Sequence, residues 1–112
     1  MKISVRHVSG VTVIVPKGKV TIGLGDVALR DAVSEALAAG ARSILVDMAG
    51  VSTIDSSGIG ELVSAYTTVT NRGGKLKLSS LPPKVMDVLQ VTQLITVFEV
   101  FGDEDEGVAS FQ

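Results

Sequence analysis

The stretch Val51-Ser52-Thr53-Ile54-Asp55-Ser56-Ser57-Gly58-Ile59-Gly60 lies between two segments of different periodicity. Before it, the short apolar run Ser43-Ile44-Leu45-Val46 has the composition of a central strand covered on both faces, and Asp47 ends it. After it, Ile59, Leu62, Val63, Tyr66 and Thr70 recur on one helical stripe, which predicts a helix over about Ser57 to Asn71. The link between them sets two hydroxyls and a carboxylate at the mouth of that helix. A helix start has unpaired N–H groups and a partial positive charge, so it favours anionic groups.

Working outward, Ile3 to Val8 alternates apolar and polar residues, Ser9-Gly10 marks a turn, and Val11 to Val15 is a second β-branched run. A hairpin is expected, with Pro16 at the end or edge of its second strand. Gly18 to Gly25 is glycine-rich and is expected to form a loop, and Asp26 is the expected N-cap of a first helix that stops near Gly40. Beyond the focal helix, Gly73-Gly74 is a break, and Lys75-Leu76-Lys77-Leu78 alternates as a strand with one wet face. Pro82-Pro83 opens a third helix with Val85, Met86, Val88 and Leu89 inward. Ile95 to Phe101 reads as a last strand, and Asp103 to Glu106 as the acidic first turn of a short helix ending near Phe111. Strands alternating with helices imply a single α/β domain over residues 1–112, in the order β-β-α-β-α-β-α-β-α, with helices packed on a mixed, mostly parallel sheet.

Composition narrows the function. With no cysteine, disulfides, thiol catalysis and cysteine metal sites are excluded. No apolar run reaches the roughly 20 residues of a membrane-spanning helix, and no signal-peptide layout precedes the first strand, so a cytoplasmic location is expected. A net charge of -2 with scattered basic residues, one Tyr, three Phe and no Trp give no footprint for nucleic acid.

Catalysis at the focal stretch lacks its parts. A serine nucleophile needs a base, and the single histidine, His7, lies on a distant strand, where a solvent-facing role suits it better. Neither the G-x-S-x-G elbow nor the S-x-x-K spacing occurs around Ser56 or Ser57, and the glycines from 18 to 25 match no phosphate-binding loop. Asp47 and Asp55 fit backbone hydrogen bonding better than a metal, so no metal or other cofactor is expected. Helix capping alone would explain one of Asp55, Ser56 and Ser57 but not three together. Gly58 and Gly60 each cost a helix about 1 kcal/mol relative to alanine, and what they offer is a surface that another protein can approach closely.

These residues carry a resemblance. Val46 to Leu62, with its Asp55-Ser56-Ser57-Gly58-Ile59-Gly60 core, resembles the signature of STAS domains, and specifically of bacterial anti-sigma-factor antagonists. The likeness extends through Arg72 to Leu78 and the helix around Val85 to Leu89. It implies a non-enzymatic switch protein. The unphosphorylated antagonist would bind an anti-sigma factor that is a serine kinase, releasing the sigma factor. That kinase would phosphorylate Ser57, and a metal-dependent serine phosphatase would reverse the modification. Asp55, Ser56, Gly58, Ile59 and Gly60 then become partner-binding positions. So do Lys19 and Thr21, which stand where many antagonists carry acids, with Lys19 reversing the sign. That departure keeps an alternative open, a STAS adaptor or scaffold in another signalling or lipid-transport complex. A weak homodimer is left open too.

Overall fold

The computed structural model describes residues 1–112. Its strands are β1 (Lys2–Val8), β2 (Val11–Val20), β3 (Ser43–Asp47), β4 (Val51–Ile54), β5 (Lys75–Ser79) and β6 (Val100–Phe101). Its helices are α1 (Gly25–Ala38), α2 (Ser56–Asn71), α3 (Pro83–Val91) and α4 (Glu104–Ala109), with a 3-10 turn at Leu94–Thr96. The six strands form a mixed sheet, five of them in the order β1-β2-β3-β5-β6 and β4 off this path, paired with β2. Only the β1–β2 hairpin is antiparallel. The other pairings are parallel, as crossovers through helices require.

Strand β3 shows why the sheet needs cover on both sides. Ile44 and Val46 point into the main core with Leu29, Leu62, Val69, Leu76 and Leu89, which is roofed by α1, α2 and α3. Leu45 points the other way, into a smaller cluster with Val11, Val13 and Val108 of α4. All three side chains are fully buried, as their unbroken apolar run predicts. No helix is long and apolar enough to cross a membrane.

Three expectations need correction. Strand β2 does not stop at Pro16 but runs to Val20, through what was expected to be a glycine loop. It changes partners on the way, pairing with β3 through Ile14 and with β4 from Gly18 onward. Pro16, which has no N–H to donate, falls at the changeover. Second, Val51–Ile54 is a strand in its own right, a sixth beyond the five expected, with Val51 and Ile54 buried and Ser52 and Thr53 exposed. Third, the run from Ile95 to Phe101 is strand only at Val100–Phe101, because the chain coils first through a 3-10 turn that follows Gln93 in the left-handed region.

The wet face expected of β5 is present at Lys75 but not at Lys77. Lys77 is 5 % exposed, its ammonium donating to the backbone oxygen and the hydroxyl of Ser110, both at 3.1 Å. It also pairs with Glu99 at 3.1 Å and lies 4.5 Å from the centroid of the Phe111 ring. Residues after α4 therefore cover a face that alternation alone assigns to solvent.

Candidate functional site at the start of helix α2

The site is built where β2, β4, α1 and α2 meet. Parallel pairing sets Lys19 beside Thr53 and Val20 beside Ile54, so the chain from Lys19 to Leu24 runs alongside the focal stretch. Asp55 then ends β4 and caps α2. It sits in extended backbone, and its Oδ1 accepts from the Gly58 N–H at 3.0 Å. Of the three cap candidates, the carboxylate does the work.

The second oxygen of Asp55 reaches across the strand pair. Oδ2 accepts from the Ile22 N–H at 3.0 Å, which fastens the turn before α1 to the cap of α2. These bonds hold the Asp55 carboxyl below its ordinary pKa, the Gly58 N–H contributing most and the Ile22 N–H next. Asp26 holds the other end of the same turn. Its Oδ1 accepts from Gly23 and Val27, but the cap position of α1 is Leu24, two residues earlier than expected.

With Asp55 as the cap, both serines fall inside the first turn of α2. Ser56 is exposed and Ser57 is half-buried, and neither hydroxyl makes a hydrogen bond within the chain. Ser57 thus presents a free hydroxyl at the positive end of a 16-residue helix. Its alcohol has no base: His7 is exposed on β1, opposite Thr12. Asp47 is used locally, its Oδ1 accepting from the Ala49 N–H at 3.0 Å. No group of three or more histidine, aspartate or glutamate side chains is arranged so that it could hold a metal ion.

The two glycines of the motif differ. Gly60 is exposed, with open space where a side chain would be. Gly58 is buried. A methyl group there would overlap the Val20 carbonyl oxygen and come within 2.7 Å of Ile54 Cγ1. Its missing side chain lets α2 sit down on β2, so the expectation of an open approach surface fails at this position. Ile59 is likewise 8 % exposed and belongs to the core. The outward residues are Ser56, Ser57 and Gly60 on α2, Lys19 on β2, half-buried Thr21, and two residues that periodicity could not flag, Ile22 and Leu24.

The STAS domain profile matches residues 2–107. No curated protein matches this chain by sequence. Among solved structures, a candidate anti-sigma factor antagonist from Thermotoga maritima is similar at TM-score 0.88 and 23 % identity, over 96 % of this chain and 92 % of that one. The Bacillus cell-fate determinant SpoIIAA in its phosphorylated form is similar at TM-score 0.77 and 21 % identity, over 99 % of this chain and 100 % of that one. A sulfate transporter family protein from Wolinella succinogenes is similar at TM-score 0.74 and 20 % identity, over 94 % and 87 %. At such identities the structural likenesses establish the fold, and the profile match across almost the whole chain establishes the family: this chain belongs to the STAS domain proteins.

Proposed function

We propose that this chain is an anti-sigma-factor antagonist, bound in its unphosphorylated form by an anti-sigma factor with serine kinase activity and switched off by phosphorylation on Ser57. The observation that carries the reading is the unbonded Ser57 hydroxyl at the start of α2, beside a cap carboxylate already committed to two backbone N–H groups. The kinase transfers the γ-phosphoryl group of ATP to Ser57 Oγ, which gives up its proton, and ADP leaves. The modification adds nearly two negative charges where a helix dipole favours them, so the fold tolerates it. A partner packed over the same surface does not, since an unpaired charge buried in an interface costs several kcal/mol.

On this reading Asp55, Ser56, Gly60, Lys19 and Thr21 face the partner, while Gly58 and Ile59 shape the surface from beneath. A metal-dependent serine phosphatase restores the binding form. The protein acts in the cytoplasm, in transcriptional regulation, and catalyses nothing itself.

Intact-mass measurement of the protein from its native host, with and without phosphatase treatment, tests the proposal. A phosphate mapped to Ser57, together with kinase binding kept in Ser57→Ala and lost in Ser57→Asp, supports it. Equal binding by the two variants sinks it. A second reading, an adaptor or scaffold subunit of another complex, draws on Lys19 and Thr21 at positions where antagonists carry acids. The likeness to a sulfate transporter family protein also supports it. Absence of any phosphate on Ser57 under all growth conditions favours that reading.

A further inference from the structure

A cavity of about 410 Å³ lies between the C-terminal half of α1 and the hairpin of β1 and β2, at the edge of the sheet. That volume is ordinary for a small-molecule site. Val5 and four alanines supply its apolar lining, and His7, Thr12 and Glu35 supply the polar part.

Thr12 is the unusual member. It is 6 % exposed, on the face of β2 that carries Ile14 into the main core, between His7 of β1 and Ile44 of β3. Its hydroxyl makes no hydrogen bond within the chain, and burying a hydroxyl without a partner works against folding. Only Ser79 Oγ is both sealed from solvent and unbonded, so Thr12 Oγ1 is not sealed and reaches the cavity. Glu35 and His7 are exposed, and neither makes an ion pair or a hydrogen bond within the chain. Alone, each would be an ordinary solvated side chain. Here they share one cavity with a buried hydroxyl.

The charges around the cavity have a clear balance. No basic side chain lines it. Asp31, one turn before Glu35 on α1, is a second carboxylate in no ion pair. Arg42, on the turn after α1, donates to the Leu37 and Ala41 carbonyl oxygens at 3.4 and 2.7 Å, so it offsets the negative end of α1 and not Glu35. Arg6 points to the opposite face of β1 and pairs with Glu104, while Arg30 pairs with Glu61. The cavity thus offers acceptors and an unopposed carboxylate above an apolar floor. A primary ammonium has three donors and no acceptor, which is the complement of that set.

We propose that this cavity binds a small primary amine, its apolar body on Val5 and the alanines and its ammonium among Glu35, Thr12 Oγ1 and an imidazole nitrogen of His7. α1 begins beside the cap of α2 and the cavity lies at its other end, so the proposal does not rest on the reading of Ser57 as a switch.

The test titrates the full, isotope-labelled chain with three probes that share one body: cyclohexylmethylamine, cyclohexylmethanol and cyclohexanecarboxylate. The amine should give saturable amide NMR shifts confined to residues 5–12 and 32–41. The alcohol and the carboxylate should bind at least about tenfold more weakly. Glu35→Gln should lower amine affinity by about tenfold, to the level of the alcohol. Thr12→Val removes the hydroxyl and keeps the shape. It should weaken amine binding about fivefold or more while the melting temperature holds or rises. A purely structural hydroxyl gives the opposite pair of results, a lower melting temperature and unchanged affinity.

That opposite pair overturns the assignment. So do shifts from none of the probes, shifts centred elsewhere, alcohol or carboxylate binding as tight as that of the amine, or undiminished amine binding by Glu35→Gln. Shifts at residues 5–12 that grow on concentrating the protein alone give the groove to a second copy pairing along β1, and overturn it too. If Thr12→Val fails to fold, Glu35→Gln, on the exposed face of α1, still decides.

Discussion

A methyl group at Gly58 meets the Val20 backbone carbonyl, which cannot swing aside as a side chain can, whereas a methyl group at Gly60 meets nothing within 4 Å. Gly58→Ala should therefore destabilise the fold by about 1–3 kcal/mol or more through overpacking. Gly60→Ala should stabilise it by about 0.5–1 kcal/mol, the ordinary helix preference for alanine. Urea unfolding of the two variants checks this, and matching effects would mean that the two glycines do the same job. Asp55 sets a pH dependence of definite sign. Its folded-state pKa is lowered, so its contribution is complete above the unfolded carboxylate value of about 3.9 and is lost as pH falls through the lower folded value. Wild type should lose its stability advantage over Asp55→Asn across that acidic window and nowhere near neutrality, as denaturant midpoints against pH would show. Little of this was readable in the sequence. Asp-Ser-Ser-Gly announces a helix start, but which residue caps it depends on backbone angles that arise only when β4 pairs with β2.

At the scale of elements, helices were the easier inference, because α1, α2 and α3 are long enough for a 3.6-residue stripe to declare itself. Strand β4 offers four residues with burial at both ends, too few for alternation to register. The β2 extension reads as a loop because Pro16, Gly18 and two lysines carry the composition of one, while its cause, a second pairing partner, lies over 30 residues away. Strand β5 misled for a different reason. Lys77 has the polarity of a solvent position, yet its stem and ammonium are enclosed by Phe111 and Ser110 after α4 and by Phe101 of β6. Lys77→Ala should cost roughly 2–5 kcal/mol by opening a cavity beneath α4. Lys77→Met, which keeps the stem volume, should cost less than Lys77→Ala, roughly 1–2 kcal/mol, for the Ser110 oxygen left without its donor; Glu99 is exposed enough to be solvated instead. Thermal melts of both would decide, and equal losses would assign the effect to the charge instead of the packing.

For the molecule as a whole, the main core under α1, α2 and α3 takes in Ile54 and Ile59 but not Ser57, which lies half-buried at its edge. A charge added there has no buried lever to push. Ser57→Asp should shift amide NMR signals around residues 55–61 and, through the Asp55–Ile22 bond, the turn at residues 21–25, leaving β3, β5 and α4 unmoved. Shifts spread through the main core would mean that the switch works by refolding. Fold class was legible because strand-helix alternation fixes topology, whereas the sixth strand and the covered face of β5 follow from pairings distant in sequence. The enclosed amine has one more consequence. Lys2, Lys17, Lys19, Lys75 and Lys84 stand in solvent, while Lys77 does not. An acylating reagent would mark the first five at once and the sixth only when α4 lifts away. The native chain thus carries its own clock for the opening of that helix, legible by mass spectrometry.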